Sequence, residues 1–195
     1  MSHSLQCRCG TVKGYVDNPE RANRGVCYCK DCQAFAHFLG GSDILDEKGG
    51  TDVIQTLPEN VRFTAGTEAL ACMRLRENGL LRWYARCCNT PIGNTPANFK
   101  ISYVGLIHNC LESSGESLGE SFGPVRLRVN TKSARGTPKP ESVGFVPMVI
   151  RVLFTLLKAR VDGSYRQTPF FANGTPVATP KVLSREELAR VTNAL

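Results

Sequence analysis

Apolar and polar residues alternate over short stretches through the first 110 residues, and a period of two reads as strand rather than helix. Thr11 to Val16 has this character and ends in the turn residues Asp17, Asn18 and Pro19. Ala69 to Arg76 and Leu80 to Arg86 flank Glu77-Asn78-Gly79, and an Asn-Gly pair between two such runs predicts a β-hairpin. On these strands Ala71, Met73 and Leu75 share one face and Arg74 and Arg76 the other, while Leu81 and Trp83 oppose Arg82, Tyr84 and Arg86. One face is expected to be core and the other basic. Ile101 to Ile107 is a further β-rich run. Gln33 to Leu39 lacks β-branched residues and reads as a short helix, with Asp31 as its cap.

From Leu111 the pattern changes. Ser113, Ser114, Gly115, Ser117 and Gly119 suggest a connecting loop, which divides a β domain over 1–110 from a partly helical extension over 111–195 packed on it. Within the extension, Pro124 to Asn130 reads as a strand and Thr131 to Ser142 as a basic loop. Val146, Val149, Ile150, Leu153, Phe154 and Leu157 recur at helical spacing, with Pro147 suited to the first turn and Gly163 to the end. Arg151, Lys158 and Arg160 leave this run well short of the roughly 20 apolar residues of a membrane span. A packed amphipathic helix is expected, with membrane-surface or partner docking as the other use of such a segment. Ser184 and Glu187 have capping-box spacing and start a last helix. The fold class is therefore mainly β, with one or two helices in the extension.

Composition sets the chemical frame. The 195 residues are 42% hydrophobic, which suits a packed globular chain. Met1 leads to Cys7 with no basic stretch followed by an apolar one, so no secretory or transit signal is read and a reducing cytoplasmic compartment is expected. There, nine cysteines read as metal ligands and buried thiols rather than as a disulfide framework. The net charge of +7 suits an anionic partner, whether a phosphate, a carboxylate-bearing thiol or nucleic acid, and selects none of them.

Six residues hold three of the thiols: Cys27-Tyr28-Cys29-Lys30-Asp31-Cys32. A strand aims residues i and i+2 the same way, and one tight turn returns Cys32, so three thiolates can meet one ion. A second pair, Cys7 and Cys9, opens the chain, and Cys87 and Cys88 stand before Asn89-Thr90-Pro91. No GxSxG, GxxxxGK or HExxH occurs, Gly49-Gly50 lacks the spacing of a nucleotide loop, and Asp43, Asp46, Glu47 and Asp52 form no selected acid/base pair. His37 is near enough to Cys32 to be a fourth ligand or a proton carrier, but a helix turns residues five apart to different faces. His108 lies in a β-rich run and His3 at a fraying end, and neither is assigned to a site.

The CxCG of Cys7 to Gly10, the CxCxxC of Cys27 to Cys32 and the later Cys88-Asn89-Thr90-Pro91-Ile92 resemble the glutathione-dependent formaldehyde-activating enzyme and centromere protein V family, over roughly residues 5 to 110. The resemblance implies a zinc-binding β-tent (Mss-four-like) core of antiparallel sheets. It also implies a four-cysteine structural zinc built from the first CxC and a later CxxC, and a second, three-cysteine site. Carried over, Cys7, Cys9 and Cys88 are structural ligands, and Cys27, Cys29 and Cys32 hold a catalytic zinc whose fourth position takes a thiol. The pattern departs at Ala85, which stands where the first cysteine of the CxxC belongs. Either Cys87 supplies the missing thiolate, or the ligand lies elsewhere, with Cys72 and Cys110 as spare thiols, or the structural site is degraded.

One or two zinc ions per chain are expected. The resemblance implies carbon-sulfur bond formation or cleavage between glutathione, or another small thiol, and formaldehyde. Arg74, Arg76, Arg82 and Arg86 are either receivers of thiol carboxylates on a shared face or a solvated strand face. The alternative is a non-catalytic zinc-stabilised scaffold for a protein or nucleic-acid partner. The oligomeric state is open.

Overall fold

The structure is a computed structural model that describes residues 1–112 and 115–193. In chain order its elements are β1 (Ser2–Gln6), β2 (Lys13–Asp17), β3 (Asn23–Cys27), α1 (Lys30–Leu39), β4 (Thr51–Thr56), β5 (Val61–Ala65), β6 (Leu70–Arg74), β7 (Leu81–Ala85), β8 (Thr90–Thr95), β9 (Val104–Ile107) and α2 (Asn109–Glu112). They continue with α3 (Leu118–Phe122), β10 (Leu127–Val129), α4 (Phe145–Asp162), β11 (Phe171–Ala172), β12 (Thr175–Pro176), β13 (Pro180–Val182) and α5 (Arg185–Asn193). The chain is mainly β, with several sheets and a few helices.

An eight-stranded sheet in the order β10-β3-β4-β9-β8-β7-β6-β13 forms the centre, and β1-β2-β5 make a smaller one. One face of the large sheet meets the small sheet. Leu5, Val16 and Val61 from the small sheet pack there with Ile54, Leu81, Trp83, Ile92 and Leu106. Trp83 is fully buried, lies 5.2 Å from the Phe170 ring and donates from its indole nitrogen to the Thr95 hydroxyl at 2.9 Å. The other face carries α1 and α5, where Phe35, Leu39 and Val191 close over Met73, Leu75 and Ile107. Both faces are thus apolar.

That double coverage corrects the expected basic face. In the β6–β7 pairing Met73 stands opposite Arg82, and Cys72 opposite Trp83, so Arg82 shares a face with Met73 and not with Arg74. Arg82 is only 3% exposed, donates to the Asn94 side chain at 3.1 Å and lies over the Phe35 ring at 5.4 Å. Arg74 and Arg86 donate to the carbonyls of Glu77 and Glu68, and Arg76 pairs with Asp31 at 3.0 Å. The four arginines therefore form no common surface.

The large sheet is mixed rather than wholly antiparallel. β10 runs parallel to β3 and β13 parallel to β6, so segments beyond residue 111 supply both edges. Gly25 is needed at the first junction, because a Cβ there would stand 2.8 Å from the Leu127 Cβ. The Asn-Gly hairpin joins β6 to β7 as expected, and the Ser184–Glu187 capping box opens α5, with reciprocal bonds of 2.9 and 3.1 Å. Ser113 and Ser114 lie outside the described residues, but Ser117 caps α3 where only a loop was expected. The extension thus holds more helix than one or two segments.

Three further expectations change. His3 lies in β1 and is completely buried, its ring nitrogens 2.8 Å from the Ser121 hydroxyl and 3.2 Å from the Leu111 carbonyl. A short polar strand carries little period-two signal, so the pairing of β1 with β2 was not legible. The cap of α1 is Cys29 rather than Asp31, which sits in the first turn. Finally, α4 runs as expected into Gly163, but it does not bury its apolar stripe. Val152 and Leu156 are half-buried and Ala159 is buried, all three lining a cavity beneath the helix, while Val146, Ile150, Leu153, Phe154 and Leu157 are exposed. A helix apolar around most of its girth cannot turn every side to one neighbour. Among the described residues no helix is long and apolar enough to cross a membrane.

Candidate metal centre

Two groups of thiols emerge: Cys7, Cys9, Cys87 and Cys88, and Cys27, Cys29 and Cys32. Within each group the sulfurs lie within 4.8 Å of one another, so each can hold a metal ion.

The first group begins where β1 ends. Gly10, with φ +75°, turns the chain so that its N–H meets the Cys7 carbonyl at 2.8 Å, and the Val12 N–H reaches the Cys7 sulfur at 3.2 Å. The other two thiols come from the turn between β7 and β8. Consecutive residues on a strand point apart, but here Asn89 takes φ +54° and the turn lets neighbours converge. The Cys87 sulfur lies 3.3 Å from Cys9, 3.9 Å from Cys7 and 3.8 Å from Cys88, and Cys7 lies 3.6 Å from Cys9. Sulfurs at the corners of a zinc tetrahedron, with bonds of about 2.3 Å, stand about 3.8 Å apart. The four thiols fit such an ion without Ala85, which is buried among the apolar residues of β7. Cys72 and Cys110 join neither group. Both are buried, and burial pushes Cys72 up to about 12 and raises Cys110 further from ionisation.

The thiols of this group differ in their ease of ionisation. The Thr11 hydroxyl and N–H draw exposed Cys9 down to about 6, whereas desolvation, then Cys9, push Cys87 up to about 12. Desolvation also raises Cys7. For Cys88, desolvation is outweighed by the Thr90 hydroxyl and the N–H groups of Cys9 and Thr90, and the thiol moves down.

The second group lies at the end of β3 and the start of α1. Cys29 is the helix cap, its sulfur accepting from the Cys32 N–H at 3.3 Å, and the positive end of the α1 dipole faces the thiols. Hydrogen bonds from Cys29 and Cys32 draw Cys27 down to about 2, while the same bonding raises Cys29 and pushes Cys32 well up. One negative charge is easy to form here, and a second or third needs a cation beside it.

Residues beyond 111 complete the surroundings. β10 pairs Val129 with Cys27, the Tyr28 N–H donates to the Val129 carbonyl at 3.1 Å, and the Asn130 amide approaches the Cys27 sulfur at 3.4 Å. Buried Gln33 donates to the carbonyls of Tyr28 and Ser133 and so ties α1 to the same segment. Tyr103 lies near enough that, after desolvation, ionised Cys27 and Cys32 raise its phenol further. Asn130 and Tyr103 were not singled out from sequence, since neither belongs to a motif and only the long-range pairing brings them in. His37 does not join the thiols. Its Nε2 faces the Arg135 guanidinium at 3.1 Å instead.

A groove of about 580 Å³ opens beside the first turn of α1, lined by Lys30, Asp31, Gln33, Arg76, Ser133 and Arg135. Of the four arginines expected to receive carboxylates, Arg76 alone reaches it. A cavity of about 370 Å³ lies beneath α4 toward the other end of β3 and β4, where Asn23 pairs with Gln55; Tyr103 is among its lining residues, and no thiol of either group lines it.

A Rhodobacter sphaeroides protein of known crystal structure is similar at 19% sequence identity and a TM-score of 0.40, over 63% of this chain and 96% of its own. No curated protein matches the chain. The model of a family of unknown function (DUF6151) matches residues 1–181, and the chain belongs to that family.

Proposed function

We propose that the chain is a zinc enzyme that makes or breaks a carbon-sulfur bond between a small thiol, such as glutathione, and an aldehyde. In this reading Cys7, Cys9, Cys87 and Cys88 hold a closed structural ion, and Cys27, Cys29 and Cys32 hold an ion with room for a fourth ligand. The observation that carries the proposal is the second group: three convergent thiols at a helix amino terminus, with no fourth Cys, His, Asp or Glu among the described residues joining them.

Zinc bound there would keep an incoming thiol ionised at neutral pH. The remaining roles fall to the chain. Lys30, Arg76 and Arg135 border the adjacent groove and suit the carboxylates of an anionic thiol, although Asp31 already occupies one side of Arg76. In the forward direction the thiol sulfur bonds to the carbonyl carbon and the thiol proton ends on the carbonyl oxygen, so no oxidant or reductant is required. Asn130 steadies Cys27, and the α1 dipole favours the anionic form of the group.

Exchange-broadened NMR of glutathione and formaldehyde measures adduct formation directly. The zinc-loaded chain is expected to accelerate exchange, and Cys29→Ser to abolish the acceleration while retaining the ion of the four-cysteine group. No acceleration by a fully loaded wild-type chain would sink the enzyme reading and leave a zinc-stabilised scaffold.

A further inference from the structure

The outer face of α4 is the least explained surface of the molecule. Of the twelve large apolar side chains exposed among the described residues, seven lie on this helix. Val146, Ile150, Leu153, Phe154, Leu157 and Val161 are between 50% and 81% exposed. At 100° per residue they fall in one stripe about 100° wide. Such concentration is not the scatter of single apolar residues that every surface carries.

The charges bordering the stripe are mostly positive. Arg160 borders one edge, and Arg151 and Lys158 border the other. The Arg166 guanidinium approaches Gly163 at the carboxy-terminal end. The one acid of the helix, Asp162, is turned to the Ser164 N–H at 2.9 Å. Arg151 and Arg160 are anchored as well, to the Arg21 carbonyl and over the Tyr165 ring, so these cations are held at the rim.

Two occupants suit an apolar stripe, and the charges separate them. A second copy would set two arginines and a lysine against the same residues, with Asp162 as the one acid of the helix to meet them. Seven side chains on one helix also fall short of the about 20–30 residues per side of a stable protein interface. A lipid surface needs only one stripe, and cations at its margins match anionic headgroups. We propose that α4 is an interfacial anchor whose outer stripe inserts at the surface of an anionic bilayer, with Arg151, Lys158 and Arg160 at headgroup level. The helix lies in the plane of the interface and does not span it.

Flotation of the full chain with vesicles tests this, using phosphatidylcholine alone and phosphatidylcholine mixed with phosphatidylglycerol. The protein is expected to float with the mixed vesicles and much less with the neutral ones. Leu153→Gln with Leu157→Gln should weaken binding about tenfold or more, and Lys158→Gln with Arg160→Gln about tenfold on mixed vesicles only. Both leucines are exposed, so circular dichroism should be unchanged in the first variant. No flotation with either vesicle, equal flotation with both, or undiminished binding by the leucine variant would overturn the proposal. A dimer in light scattering that the leucine variant dissociates, without vesicle binding by the wild type, would assign the stripe to a second copy.

Discussion

Replacing Cys87 by serine probes the least expected feature of the four-thiol group. The Cys87 side chain is exposed, so its loss disturbs no packing, and the metal-free variant should match the metal-free wild type within about 0.5 kcal/mol. The effect belongs to the loaded protein. With free zinc buffered at about 1,000 times the dissociation constant of the intact site, occupancy adds about 4 kcal/mol of stability, and a site reduced to three thiolates should lose most of it. Metal analysis should fall from about two zinc ions per chain to about one, and urea unfolding with and without chelator should show the lost increment. Adding Ala85→Cys to the Cys87→Ser chain, which gives positions 85 and 88 the spacing of the resembled family's CxxC, should restore it. Retention of two ions and of the full zinc-dependent stability by Cys87→Ser would refute the assignment.

In metal-free protein at neutral pH, alkylation followed by mass spectrometry should modify Cys9 and Cys27 first and Cys72 and Cys110 last, following their opposite pKa shifts. Arg82→Ala should cost roughly 2–4 kcal/mol in urea unfolding by stranding Asn94 and opening space over Phe35. An unchanged stability would return Arg82 to the surface role expected from sequence. His3→Ala should cost roughly 2–4 kcal/mol, since a buried ring and its bonds to Ser121 and Leu111 go together. Ser4 hydrogen bonding holds the Glu116 carboxyl below its ordinary value, so its contribution is present above about pH 4.5 and is lost as pH falls through the lower folded value. Glu116→Gln should therefore flatten the acid limb of a melting-temperature profile, and an unchanged limb would exclude that contribution.

Local signals were legible where one short segment decides the outcome. The Asn78-Gly79 hairpin, the Ser184–Glu187 box and the run from Cys27 to Cys32 each follow from residues a few positions apart. What failed was information about the second face of an element. Alternation showed that Arg82 opposes Trp83, but not that α1 and α5 would cover the arginine side, which is a long-range fact. The helical period of α4 was equally clear, and the same period concealed that only Val152, Leu156 and their neighbours would find a packing partner. Cys87 was ambiguous for a different reason. A strand would have turned it away from Cys88, and only the positive φ of Asn89 reveals that the pair lies in a turn.

The same distinction bears on the three-thiol group. Its ligating atoms come from six consecutive residues, but its environment comes from far along the chain: Asn130 at Cys27, Val129 holding the Tyr28 N–H, and Ser133 fixing Gln33 and with it the first turn of α1. The CxCxxC run alone would leave Cys27 at the edge of the sheet. β10 occupies that edge, and Gly25 lets it approach closely enough to do so. Each contact lies beyond residue 111, outside the stretch that carries the resemblance. The segment after 111 is therefore part of the thiol site's scaffold rather than an appendage to it, and differences there act directly on the charge and access of Cys27.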